Sequence, residues 1–363
     1  MPADHRDHMP DDPSADTMTI FDGRITAIIV NYRTPDLALE CIDALAGERA
    51  TLPGLSVILA DGGSGDDSVE RLAAGLAVSP HRDWVTLLPL GFNGGFAWAN
   101  NQGIRRALQQ DQPADFVYLV NPDAIVEPGA LVALIAAIRA DPKAASAGSQ
   151  LLAPQGWAVG SAFNFPTVAS EFFRGANTPL LERLAGARSG VVEAEEPVEA
   201  EWVTGASVVF RAEALRQCGL FDEGFFLYFE EVELMHRLGA AGWRNLHVPA
   251  SRVRHIGGAA TGVVDGASEK ARLPDYWFRS RRRYFARTRG AAGARWSALA
   301  WIAGYGVWRV RELVGLGRMS AHAPREFRDL MRNGIAPVAL DREAAVPRWD
   351  GPIDELPAWA ARR

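Results

Sequence analysis

Cysteine is nearly absent: Cys41 and Cys218 are the only two in 363 residues, and no CxxC or Cys/His spacing surrounds either. That excludes a disulfide framework and a cysteine-built zinc site, and it agrees with a reducing cytoplasm. Long apolar runs are missing too. No stretch reaches the roughly 18 consecutive apolar residues of a membrane-spanning helix. The longest uncharged candidate, Trp296 to Trp308, is too short and contains Gly304 and Gly306. Residues 1–23, rich in Asp, His and Pro, lack the apolar core of a secretory signal and read as a disordered leader. An excess of positive charge is also lacking. With 38 Lys and Arg against 44 Asp and Glu, the formal net charge is -6, which argues against nucleic acid as a partner. What remains, 48% hydrophobic and 23% charged, is the make-up of an ordinary globular chain of one or two domains.

From Ile25 the pattern becomes regular. ITAIIVN reads as a buried strand, and Thr34-Pro35 supplies an N-cap and a first-turn proline for the helix carrying Leu37, Cys41 and Leu45. Strands are expected at Leu55 to Asp61, Trp84 to Leu88 and Phe116 to Val120. Helices are expected at Val69 to Leu76, about Gly95 to Gln109, and Leu131 to Ile138. Short apolar strands alternating with helices imply an α/β fold with a mainly parallel sheet covered on both faces. Ligands of such sheets bind beyond the carboxyl ends of the strands. Those ends are polar or glycine-rich: Asn31-Tyr32, Asp61-Gly62-Gly63-Ser64, Asn93-Gly94-Gly95 and Asn121-Pro122-Asp123. Together they outline one site. Residues 156–173 and 185–201 read as loops, and the proline-containing segment 321–363 as a loosely packed tail.

Asp61 opens a glycine-bearing turn, where a carboxylate accepts the N3 proton of uracil or thymine, or simply bonds its own turn. Asp123 beside Asn121 offers hard oxygen ligands that suit Mg2+ or Mn2+ against a diphosphate; the same tripeptide is also an ordinary turn former. Glu230, Glu231 and Glu233 follow the aromatic run FFLYF. A carboxylate desolvated by such neighbours has a raised pKa and suits proton abstraction from a hydroxyl, while three acids in a first helical turn also suit the helix dipole. His255 ends the RVRH segment, where a ring nitrogen serves a metal or a phosphate.

Taken together, seven segments in order resemble the family-2 glycosyltransferases, especially the bacterial rhamnosyltransferase-like branch: IIVNY, ADGGSGDDS, GFNGGFAWANNQGI, LVNPDA, WVTGASVVFRAEAL, GLFDEGFFLYFEEVELMHRLGAAGW and the histidine of RHIGG. The resemblance covers roughly Ile25 to Gly262. It implies a GT-A fold over 24–262 and inverting transfer of a sugar, rhamnose as first guess, from a dTDP- or UDP-sugar. The acceptor hydroxyl would belong to a glycan or polyprenyl-diphosphate-linked glycan of the cell envelope. It implies that Asp61 reads the pyrimidine, that Asn31, Tyr32, Gly94, Gly95 and Asn121 line the donor pocket, and that Asp123 and His255 hold a divalent cation. It implies that Glu231 is the catalytic base with Glu230 beside it, and that Trp202 and Gly205 lie on the acceptor side. Two positions depart from the family pattern: Asn121 stands where D-x-D has its first Asp, and Glu231 where Asp is more usual.

The single displacement this implies has Glu231 deprotonating the acceptor hydroxyl as it attacks opposite the leaving nucleoside diphosphate. A non-catalytic GT-A relative that binds nucleotide or glycan is the rival of another class. A dinucleotide-binding fold is disfavoured because the first turn reads NYRTPD instead of G-x-G-x-x-G.

Residues 263–320 read as a basic aromatic helical extension. Between Tyr276 and Arg311 there are nine arginines, four tryptophans and no acid. Trp301, Tyr305 and Trp308 share one helical face by spacing. Three roles stand open for 276–316: a peripheral contact with an anionic membrane surface on the cytoplasmic side, a helix packed on the catalytic domain, or a homo-oligomer interface.

Overall fold

The computed structural model describes residues 21–178, 190–257, 272–315, 322–335, 345–353, 355–357 and 359–360. Most of the expected leader, Gly258 and the junction 258–271 lie outside the described residues. The chain alternates as its apolar periodicity requires: β1 (Ile25–Asn31), α1 (Pro35–Ala46), β2 (Leu55–Asp61), α2 (Ser68–Val78), β3 (Val85–Pro89), α3 (Gly95–Leu108) and β4 (Phe116–Val120). Then come β5 (Ala124–Val126), α4 (Ala130–Ala140) and β6 (Ala144–Leu152). A short excursion holds β7 (Ala162–Phe163), α5 (Val168–Ala176), β8 (Val198–Ala200) and β9 (Trp202–Val203). The sheet resumes with β10 (Ser207–Arg211), followed by α6 (Ala212–Cys218), α7 (Glu230–Ala240) and β11 (Arg244–His255). Pro35 opens α1 as expected, but the Thr34 hydroxyl bonds Asn31 at 3.3 Å instead of capping the helix.

The strands form one sheet in the order β3-β2-β1-β4-β10-β6-β11-β5, with β8 also on β11. The pairs β3/β2, β2/β1, β1/β4 and β6/β11 are parallel; β10, β5 and β8 run against them. Alternation along β1 builds two cores. Ile25, Ala27 and Ile29 join α1, α2 and α4 on one face, while Ile28 joins α3, α6 and α7 on the other. The carboxyl ends of β1, β2, β4 and β11 and the amino end of β10 therefore reach one rim.

Two further helices follow, α8 (Asp275–Leu313) and α9 (Glu326–Asn333). α8 is two arms, 275–289 and 291–313, divided at Gly290, whose φ of 71° leaves helical geometry. The first arm buries Tyr284, Phe285 and Ala286 in the second of those cores. Its arginines enter ion pairs: Arg281 with Glu171 at 2.6 Å, Arg283 with Asp222 at 2.7 Å and Arg287 with Asp222 at 3.2 Å. The second arm packs on α5 with backbones touching, since a β-carbon on Gly304 would stand 2.0 Å from the Phe172 carbonyl oxygen.

For one face of this extension, the packing selects among the three open roles. The Trp301, Tyr305 and Trp308 face is not free to meet a membrane. Trp301 is fully buried, Trp308 nearly so, and all three rings surround His322 at 4.8–5.5 Å. No helix among the described residues is long and apolar enough to cross a membrane.

The proline-bearing tail is likewise held. Its carbonyl oxygens accept Trp98 Nε1 (Glu355, 2.9 Å) and Gln109 Nε2 (Trp349, 2.8 Å), and Trp359 Nε1 donates to the Glu223 carbonyl at 2.7 Å. The segment straps α3 to the chain leading into α7.

Candidate active site

The first two strand ends lock together. Asn31 and Asp61 are cross-strand partners, and Asn31 Nδ2 donates to Asp61 Oδ2 at 2.8 Å. Asp61 also accepts the Ser64 hydroxyl at 2.7 Å and the Ser64 N–H at 3.0 Å. The side chain is 1% exposed. Three bonds thus already hold its carboxylate, two from its own turn and one from β1, leaving one of about four lone-pair sites. Tyr32 is half-buried beside it, under the Arg33 guanidinium at 5.1 Å.

The Asn93-Gly94-Gly95 turn opens α3. Gly95 has φ of 83°, and a β-carbon there would stand 2.1 Å from the Phe226 carbonyl oxygen. That oxygen accepts the Phe96 N–H at 2.8 Å. The turn is thereby tied to the segment leading into α7, a link that sequence reading missed. Inverse signals existed in the sequence, a paired glycine at one end and FDEGFF at the other, but nothing in them says that the two meet.

At the end of β4, Asn121 N–H donates to the Ala206 carbonyl at 3.0 Å. β11 then returns along β5 to set His255 opposite Ala124. His255 Nε2 lies 3.1 Å from Asp123 Oδ1 and 3.2 Å from Asn121 Nδ2. Asp123 is 6% exposed. One ring nitrogen would have to donate to the carboxylate and accept from the amide at once. With the amide turned about, an amide oxygen and a carboxylate oxygen both lie close to the imidazole nitrogen, a donor set that suits Mn2+ or Mg2+. Among the described residues no group of three His, Cys, Asp or Glu side chains is placed to hold a metal ion.

Glu230 and Glu231 begin α7. Before them, Tyr228 and Phe229 both adopt φ of 70°, a left-handed backbone that costs a non-glycine residue about 1–2 kcal/mol. Ser280 donates to the Leu227 carbonyl at 2.9 Å, and Tyr276 stacks on Tyr228 at 6.2 Å, so the first arm of α8 holds this strained turn in place. Glu231 touches Gly205: a β-carbon on Gly205 would lie 3.7 Å from Glu231 Cβ. The backbone N–H groups of Gly205 and Val232 lie near enough to the Glu231 carboxyl to favour its charged form. Burial nonetheless pushes its carboxyl above the ordinary carboxylate range. Glu230 is pushed well above it, by burial first and by the Glu231 charge second. One oxygen of each, Oε2, is buried without a hydrogen-bond partner among the described residues. Two carboxyls that resist ionising together hold one proton between them over a range of pH.

The other acid of the cluster does different work. Glu233 pairs with Arg237 at 3.0 Å and is structural. Trp202 stacks on Phe163 at 4.4 Å and gives its indole N–H to the Asn164 carbonyl at 3.1 Å, so it braces the β7/β9 ribbon. Hydrogen bonds and backbone contacts thus link Asn31 with Asp61, Gly95 with the α7 approach, Asn121 with Asp123 and His255, and Gly205 with Glu231.

Comparison with known proteins gives the family and the fold. The family described as "Glycosyltransferase like family 2" matches residues 23–273. The chain is 33% identical over 227 residues to the N-acetylglucosaminyl-diphospho-decaprenol L-rhamnosyltransferase of two Mycobacterium tuberculosis strains, covering 60% of this chain and 71% of that protein. Its fold is similar to that of a mannosyltransferase from Pyrobaculum calidifontis in complex with GDP-Man and Mn2+, with TM-score 0.50, 15% identity, and 88% of this chain and 81% of that one covered. It is similar as well to GalNAc-T7 with UDP, GalNAc and Mn2+, with TM-score 0.51, 16% identity, and 85% and 56% covered.

Proposed function

This chain belongs to glycosyltransferase-like family 2, and from that premise we propose an inverting transfer of rhamnose from a dTDP- or UDP-sugar. The acceptor is a hydroxyl of a polyprenyl-diphosphate-linked glycan, in the synthesis of a cell-envelope polysaccharide. The relative's specificity for a decaprenol-linked substrate and for L-rhamnose, as its name states, supports the choice of sugar and acceptor.

The observation that carries the reading is Glu231. Its carboxyl is buried near the Gly205 and Val232 N–H groups, raised in pKa by that burial, and left with one oxygen unpartnered among the described residues. A base so held takes a proton from a hydroxyl positioned against it. The acceptor oxygen then forms its bond to the anomeric carbon as the bond to the diphosphate oxygen breaks on the opposite side, and the configuration inverts. Glu230, whose carboxyl is the harder of the two to ionise, keeps the shared proton and so spares Glu231 a neighbouring charge.

On the donor side, Asn31 orients Asp61, and the one remaining lone-pair site of Asp61 faces the pyrimidine. Asp123, His255 and Asn121 would hold the divalent cation, which when bound neutralises charge on the diphosphate. The test is Glu231→Gln: donor binding by calorimetry is retained while transfer falls by at least about a thousandfold. Comparable turnover by the variant would remove Glu231 from the role.

A further inference from the structure

The second arm of α8 carries an apolar stripe on the side away from Trp301, Gly304 and Trp308. Trp296, Leu299, Val310 and Leu313, with Ala303 and Gly306 between them, follow alternating steps of three and four, the spacing of one helical face. All six are exposed. The large ones are strongly so: Trp296 by 63%, Leu299 by 49%, Val310 by 60% and Leu313 by 79%. Single exposed apolar residues are ordinary, but a continuous row marks an interaction surface.

α9 shows the same inversion with charge. Its acids face inward, Glu326 to Arg174 at 2.6 Å and Asp329 to Arg272 at 2.7 Å. Outward stand Arg325, Arg328 and Arg332, with Phe327 and Met331 between them. The two helices adjoin where Tyr305 stacks on Phe327 at 5.1 Å. Over 291–315 and 322–335 the outward charges are those three arginines with Arg295 and Arg309, against one half-exposed acid, Glu312, which Arg309 holds. A chain of net charge -6 thus gathers cations around this exposed apolar row.

We propose that this outward face of α8 and α9 docks on an anionic lipid bilayer. Apolar side chains enter the boundary between headgroups and acyl chains while the guanidinium groups meet lipid phosphates. A second copy of the chain fits less well, because a twofold contact would set like-charged arginines against one another. The surface also lies close to the α7 approach. Asn333 on α9 donates to Asp275 at 3.1 Å, and the next residue, Tyr276, stacks on Tyr228, two positions before Glu230. If the transfer reading holds, a lipid-linked acceptor reaches Glu231 from the bilayer on which the protein rests; the docking itself does not depend on that reading.

The test is co-sedimentation of the full chain, at low salt and without donor, with vesicles of phosphatidylglycerol and phosphatidylcholine and with vesicles of phosphatidylcholine alone. The expected result is binding to the anionic vesicles that added salt weakens. Trp296→Ser with Leu313→Ser, and separately Arg328→Glu with Arg332→Glu, should each lower the bound fraction about tenfold at unchanged melting temperature. Three results overturn the proposal: no sedimentation of the wild-type chain with anionic vesicles, both variants sedimenting like wild type, or a solution dimer that the apolar double variant dissociates. The readout needs no sugar transfer, so its failure is distinct from failure of the transferase reading.

Discussion

Gly95 and Phe226 meet backbone to backbone: a β-carbon on Gly95 would stand 2.1 Å from the Phe226 carbonyl oxygen, which accepts the N–H of the next residue, Phe96, at 2.8 Å. The turn that opens α3 and the chain leading to Glu230 and Glu231 are therefore tied together. Gly95→Ala meets both a positive φ and this clash. The left-handed backbone alone costs about 1–2 kcal/mol, so the variant should melt lower and lose transfer. Wild-type melting and turnover in Gly95→Ala would show that the two segments are not coupled.

Glu230 supplies a pH signature. Its folded pKa is raised, so the folded state favours the neutral acid, and stability is lost as pH climbs from the ordinary value of 4.5 through the folded one. Glu230→Gln removes that loss. The variant should melt higher than wild type near neutral pH, by about 1.4 kcal/mol for each pKa unit of displacement, and the gap should close on acidification toward 4.5. A gap that stays constant with pH would mean that Glu230 does not carry the proton.

Glu326 runs the other way. Burial alone would raise its carboxyl, but hydrogen bonds from His322 and Arg174 and the Arg174 charge outweigh burial and hold it at about 2, against an ordinary 4.5. The stability this gives is complete above the unfolded value and disappears as pH falls through the folded one. It is worth about 3 kcal/mol at neutral pH. Glu326→Gln should accordingly destabilise the chain near pH 7, with little difference from wild type near pH 2. Equal melting at neutral pH would show that α9 is not held by this pair.

Asp123 Oδ1 and His255 Nε2 stand 3.1 Å apart, and if they hold the cation, Mn2+ should raise the melting temperature of the wild-type chain in the presence of a nucleoside diphosphate. Asp123→Ala and His255→Ala should each abolish that rise. A metal-induced shift that survives both substitutions would place the cation elsewhere.

How much of this was legible beforehand divides by range. The strands from Ile25 to Val120 and the polar turns that end them stood out because periodicity and turn chemistry are local. So did the rim itself, because parallel connectivity fixes which strand ends share an edge. Long-range partners were hidden. Nothing near Gly95 names Phe226, and nothing in the proline-bearing tail announces that its carbonyls serve Trp98 and Gln109. The inward turn of Trp301 and Trp308 was equally out of reach. Spacing identifies a shared face, but only α5 and His322, distant in sequence, decide which way it points. Asp61 was read as a ligand-binding carboxylate or a turn brace, and its three bonds to Asn31 and Ser64 show the brace in place.

The central claim is sugar transfer with Glu231 as base. Its most direct measurement is to incubate the chain, Mn2+ and dTDP-rhamnose with a polyprenyl-diphosphate-linked N-acetylglucosamine, following product mass and anomeric configuration for wild type and Glu231→Gln. The account predicts that wild type adds one deoxyhexose with inverted configuration and that Glu231→Gln, while still binding donor, adds none. Retained configuration in the product, or equal product from the variant, would contradict it.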